Sequence, residues 1–172
     1  MKLSMRGRTG WRVLVMSGLL AAGTWAQQPE AGVKPDDRVT SILKKIGYKY
    51  ITTPLGNFRL DFELVDKRSH WVYVSSRTEM FEGYETRKVW AFVYKSKGLL
   101  TADLANKLLM DNVPQKAGAF ELSKASGGDG YEVVYAAHIN ADAGPKEFRS
   151  VVRLVFLNAD AKEKELTNKD EF

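Results

Sequence analysis

At 172 residues the chain has room for one ordinary domain, and without cysteine it has neither a disulfide framework nor a thiolate metal site. Its formal charge of +5 is not a nucleic-acid footprint, because four of the 26 basic residues (Lys2, Arg6, Arg8 and Arg12) lie in the first 26 positions, which hold no acid. The remainder carries 22 basic against 21 acidic residues, so no basic excess is left to gather on one surface.

The start of the chain reads as a secretory signal. A basic opening leads into the apolar run Val13 to Ala22, followed by Gly23-Thr24-Trp25-Ala26 ahead of a polar stretch. The run is too short for a bilayer core, which takes about 20 apolar residues. Cleavage is expected after Ala26, giving an exported product, periplasmic or extracellular, with no membrane span. The arginines are not adjacent, so a twin-arginine route is not indicated. Residues 27–35 (QQPEAGVKP) are polar with two prolines and read as a flexible linker. A single domain is then expected over 36–172.

In chain order, Asp36 or Asp37 caps a helix whose Val39, Ile42, Leu43 and Ile46 form one apolar stripe, and Gly47 ends it. A short strand is expected from Tyr48 to Thr52, then a turn over Pro54 to Asn57. From Phe58 the period becomes two: Phe58, Leu60, Phe62 and Leu64 oppose Arg59, Asp61 and Glu63. A strand from His70 to Arg77 and another from Lys88 to Lys95 follow, joined by a charged connection over Glu79 to Glu85 with Gly83 at its tip. Thr101 caps a second helix carrying Leu104, Ala105, Leu108 and Leu109, stopped by Pro114. Strands are expected at Ala119 to Lys124 and Tyr131 to Ile139, joined by the turn Gly127-Gly128-Asp129-Gly130. Pro145 opens a third helix through Phe148, Val151, Val152 and Val155, and its charged end from Asp160 to Phe172 is expected to fray. The order α-β-β-β-β-α-β-β-α implies an α+β domain with an antiparallel sheet of five or six strands and three helices.

Several segments resemble the YbjN family. They are Ser75-Ser76-Arg77-Thr78 at a strand end, the Val89-Trp90 strand behind a charged hairpin, and Leu104-Ala105-Asn106-Lys107-Leu108-Leu109. Gly118-Ala119-Phe120-Glu121-Leu122 and the ending Glu165-Leu166-Thr167 with Asp170-Glu171-Phe172 belong with them. The resemblance spans about residues 36 to 172. It implies the α+β fold of type III secretion chaperones, which often dimerise and bind extended client segments, and the label of a sensory transduction regulator. It implies no catalytic residue.

The residues themselves show no catalytic constellation, and no enzyme activity and no cofactor are expected. His138, Asn140 and Asp142 alternate along one strand, but with His70 the only other histidine they make no zinc set. Ser75 and Ser76 end a strand without the helix a nucleophile elbow needs. Glu79, Glu82 and Glu85 sit in a charged hairpin rather than a cleft that would shift their titration. The distinctive signal is the pair of central strands with two apolar faces. Trp71 and Tyr73 oppose Val72 and Val74, and Trp90, Phe92 and Tyr94 oppose Val89, Ala91 and Val93. One set is core. The aromatic set, Trp71, Tyr73, Trp90, Phe92 and Tyr94, is the candidate partner-binding surface for a protein or peptide client or a second copy in a homodimer. The other reading is a small-ligand or envelope-polysaccharide platform on the same rings.

Overall fold

The structure is a computed structural model and describes residues 34–64, 67–126 and 128–172. The expected signal segment 1–26 and most of the expected linker lie outside the described residues. These residues form three helices and one six-stranded antiparallel sheet, as expected. The elements are α1 (Asp37–Ile46), β1 (Ile51–Thr52), β2 (Phe58–Glu63), β3 (Ser69–Phe81), β4 (Tyr84–Ser96), α2 (Ala102–Asp111), β5 (Ala119–Lys124), β6 (Tyr131–Asn140) and α3 (Pro145–Thr167). The sheet runs β1-β2-β3-β4-β6-β5, so the doubly apolar strands β3 and β4 lie at its centre. No helix among the described residues is long and apolar enough to cross a membrane.

The caps fall where the residue chemistry puts them. The Asp36 carboxylate accepts from the Arg38 N–H at 2.8 Å, and Thr101 accepts from the Leu104 N–H at 3.3 Å. Gly118 enters β5 with φ +80°, and a Cβ there would stand 2.5 Å from the Ala136 carbonyl oxygen. Only glycine fits both the dihedral and the space.

All three helices pack on one face of the sheet. Val39 and Leu43 of α1, Leu108 of α2, and Phe148, Val152, Val155, Phe156 and Ala159 of α3 share one core with Val72, Val74, Val89, Ala91 and Val93. The valine set is therefore the core face. Each of those five strand residues is 0 % exposed, and at about 25 cal/mol per Å² such burial is the main stabilising contribution.

Three expectations need correction. The strand expected at Tyr48 is reduced to Ile51–Thr52, since Tyr48 and Tyr50 turn in to pack on Phe62 and Phe58 at 5.4 Å. The strands expected to end at Arg77 and begin at Lys88 run on through the charged connection Glu79 to Glu85, to Phe81 and from Tyr84. Its residues pair in register (Glu79 with Thr86, Met80 with Glu85, Phe81 with Tyr84) down to a two-residue turn at Glu82 and Gly83, with φ +46° and +85°. Positive φ at both positions matches the right-handed strand twist, which lets a charged sequence stay paired. Finally, α3 does not fray at Asp160. It continues to Thr167, and Phe172 beyond it is only 4 % exposed.

Candidate functional site

The face opposite the helices carries the aromatic row. Trp71 and Tyr73 of β3 and Trp90 and Phe92 of β4 are partly exposed and stand outside the helical core. Pleating dictates this placement, because each alternates with a buried valine or alanine. Tyr73 lies opposite Trp90, ring centroids 5.4 Å apart and nearly parallel at 19°. Phe92 meets Tyr73 edge-on at 5.5 Å. Contacts of these two kinds are worth about 0.5–1.5 kcal/mol each beyond area burial. The rings also shelter the outer face of β6, where Val134 opposite Phe92 and Ala136 opposite Trp90 are buried.

Charges frame the row. The Arg59 guanidinium lies 4.5 Å from the centre of the Trp71 ring while pairing with Asp61 at 2.9 Å. Lys95 Nζ sits over Phe92, and Lys88 pairs with Glu121 across to β5. Burial pushes the Tyr73 phenol above its ordinary range, so it stays neutral. One face of Tyr73 and of Trp90 is thus taken up by their stacking, and Arg59 covers one face of Trp71.

One candidate leaves this face. Between Phe92 and Tyr94 the β4–β6 register shifts, so that Phe92 opposes Val134 and Tyr94 opposes Val133. Two β4 residues there face one on β6, a bulge that moves Tyr94 to the core side, where it packs against the core cluster. Simple alternation put it with Trp90 and Phe92. In its place the structure brings Phe172, whose ring lies 5.8 Å from Phe92 and 5.2 Å beneath Lys95 Nζ. Sequence reasoning missed Phe172 because a charged tail gave no sign of docking.

The tail is held by ionisable groups that sequence reasoning also left apart. His70, on the core side of β3, is 0 % exposed, as is Glu163, and Asp160 is buried with them. Arg68 donates to Asp160 at 2.7 Å, to Glu163 at 3.0 Å and to the Lys169 carbonyl at 2.6 Å. The Asp170 carboxylate accepts from the Ser69 N–H, and Glu163 accepts from the Glu171 N–H. Burial pushes the Glu163 carboxyl up and the His70 imidazole down. One signal could have revealed the acids: Phe156, Ala159, Asp160 and Glu163 continue the buried stripe of α3.

The remaining candidates are structural. Ser76 Oγ donates to the Gly56 carbonyl and Ser75 Oγ to the Arg77 carbonyl. His138 is exposed, Asn140 accepts from the Asp142 N–H, and Asp142 pairs with Arg38. Glu85 is bound by Arg38 at 2.8 Å, whose hydrogen bonds hold its carboxyl down at about 2. A shallow groove of about 330 Å³ between α1 and the start of α3 is lined by Arg38 and Arg87, both engaged by Asp36.

No protein-family model and no curated protein matches the chain. Among solved structures it is similar to the crystal structure of YbjN from E. coli, with 14% identity over 77% of this chain and 95% of that one, and a TM-score of 0.45. This is the family the sequence resembles, and at this identity the likeness concerns the fold alone.

Proposed function

We propose that the chain is a non-enzymatic, regulatory or chaperone-like module that takes an extended protein segment on the outer face of its sheet, and that it does so after export. The observation that carries this reading is the partly exposed row Trp71, Tyr73, Trp90 and Phe92 on a face that none of the three described helices covers. A sheet with helices on one side ordinarily shows water a polar second face. Aromatic residues on such a surface supply large contact area with little rotamer entropy to lose, which is why they dominate recognition hot spots. The flanking Arg59, Lys88, Glu121 and Lys95 give the row the polar rim of a protein interface.

The ring arrangement favours a protein segment over a sugar. A glycan platform stacks on open ring faces, and here one face each of Tyr73, Trp90 and Trp71 is already occupied by a neighbouring ring or by Arg59. Edges and grooves between upright rings suit aliphatic side chains instead.

The test is selection of peptides from a display library on the full chain, with a glycan array as the second arm. Selected peptides should bind Trp90→Ala about 30-fold more weakly, the equivalent of about 2 kcal/mol. Binding confined to glycans, or peptides that bind Trp90→Ala as well as the parent chain, would overturn the reading.

A further inference from the structure

We propose that His70, Glu163 and Asp160 form a site for a divalent transition metal ion, zinc before others, at the end of the sheet closed by the final residues. The first argument is the state of the imidazole. His70 Nε2 lies 2.8 Å from the Phe92 carbonyl oxygen, which can only accept, so Nε2 carries the hydrogen. Nδ1 is then a bare lone pair. It is completely buried and is the one buried side-chain nitrogen or oxygen without a hydrogen bond among the described residues. An imidazole oriented by a backbone carbonyl through one nitrogen, with the other left open, is the arrangement of a metal-ligating histidine.

The second argument is what the lone pair faces. Glu163 Oε2 stands 3.3 Å from Nδ1. Two lone pairs at that separation repel unless a proton or a metal ion lies between them, and the Arg68 N–H that Oε2 accepts at 3.0 Å leaves Nδ1 without a partner. Zinc bonds of 2.0–2.1 Å at a tetrahedral angle place neighbouring ligand atoms about 3.3 Å apart. The donor atoms of His70, Asp160 and Glu163 all lie within 4.8 Å of one another, close enough for side-chain rotation to bring the third onto the same ion.

The third argument is charge. Asp160, Glu163 and Asp170 act on this pocket against the single guanidinium of Arg68. Buried charge of one sign is costly unless it is paired. Arg68 reaches one oxygen of each ligand carboxylate, Asp160 Oδ1 and Glu163 Oε2. These bonds orient both carboxylates. Imidazole nitrogen with carboxylate oxygen in a small, tight site suits zinc, whereas magnesium and calcium prefer all-oxygen shells of six or more ligands.

The test uses the full chain, stripped with a chelator and titrated with zinc chloride by calorimetry at neutral pH. We expect one ion per chain, and a cobalt-loaded form with the strong visible absorption of a four-coordinate site. His70→Gln and Asp160→Asn should each weaken zinc at least about 100-fold, while His138→Gln, an exposed position, leaves affinity unchanged. Asp160→Asn carries the test if His70→Gln does not fold, as judged by circular dichroism. Absence of stoichiometric zinc binding would overturn the proposal and leave a proton as the cation of the His70–Glu163 pair. Binding that survives Asp160→Asn and is lost with His138→Gln would place the ion on the surface and overturn it equally.

Discussion

Replacing Phe172 with alanine should destabilise the fold although the residue is the last of the sequence. The ring is 4 % exposed and lies 5.8 Å from Phe92 and 6.3 Å from His70. A phenylalanine buries about 150–200 Å², which at about 25 cal/mol per Å² gives about 4–5 kcal/mol as an upper figure. Two effects reduce it. A tail can detach rather than leave a closed cavity, and detachment releases the chain entropy of residues 168–172, about 1–2 kcal/mol per residue before the tail's hydrogen bonds are set against it. We therefore expect a loss of about 2–3 kcal/mol, or a drop in the unfolding midpoint of about 8–12 °C for a domain of this size. Urea and thermal unfolding of Phe172→Ala beside Phe81→Ala would measure it. Phe81 is 73 % exposed at the hairpin tip and should change stability by no more than about 0.5 kcal/mol. Equal, small effects from the two variants would refute the docked tail, and with it the burial of His70 and Glu163.

Other outcomes follow from the same packing. Phe58→Ala, at a side chain 0 % exposed, should cost about 3–5 kcal/mol, and Phe62→Ala less, about 2–3, because Phe62 is only partly buried between Tyr48 and Phe156; chemical denaturation would rank them. Gly118→Ala should cost more than about 1 kcal/mol, since the added Cβ meets the Ala136 carbonyl in a left-handed conformation. The Glu85 carboxyl is lowered in the fold from 4.5 to about 2, so its contribution is present above about pH 4.5 and is lost as pH falls toward 2. Unfolding curves across that window should be flatter for Glu85→Gln than for the parent chain. For export, N-terminal sequencing of the secreted form should begin at Gln27, and a product retaining Met1 in the membrane would contradict a cleaved signal.

The period-two pattern from Phe58 to Lys95 made the sheet, and the split between valines and aromatics, readable in advance. It did not say which set faces the helices, because that depends on which side α3 crosses. Tyr94 was misplaced for a local reason: alternation assumes unbroken pairing, and the bulge before Tyr94 inverts the face without any glycine or proline to mark it. The charged hairpin tipped by Gly83 was legible, but its strands were ended too early, at Arg77 and Lys88, because Glu79, Glu82 and Glu85 resemble turn composition, although strands projecting past their neighbours tolerate charge on both sides. The pocket of His70, Asp160 and Glu163 was hidden by distance, since Arg68 and Asp160 stand 92 positions apart in the chain. Its acids looked like the solvated end of a helix. Yet acids continuing a buried stripe need partners, and Arg68, also charged and only 12 % exposed, meets part of that need.

The central claim is that the aromatic row on the outer face of the sheet receives a protein segment. The indole N–H resonances of Trp71 and Trp90 report on that face directly. In a two-dimensional NMR titration with a peptide selected on the full chain, both should shift, with the amides of Tyr73 and Phe92 moving alongside. The amides of Val39, Leu43 and Val152 on the helical side should stay in place. A peptide that leaves both indoles unmoved while perturbing α1 or α3 would contradict the claim and move the recognition surface to the helical layer.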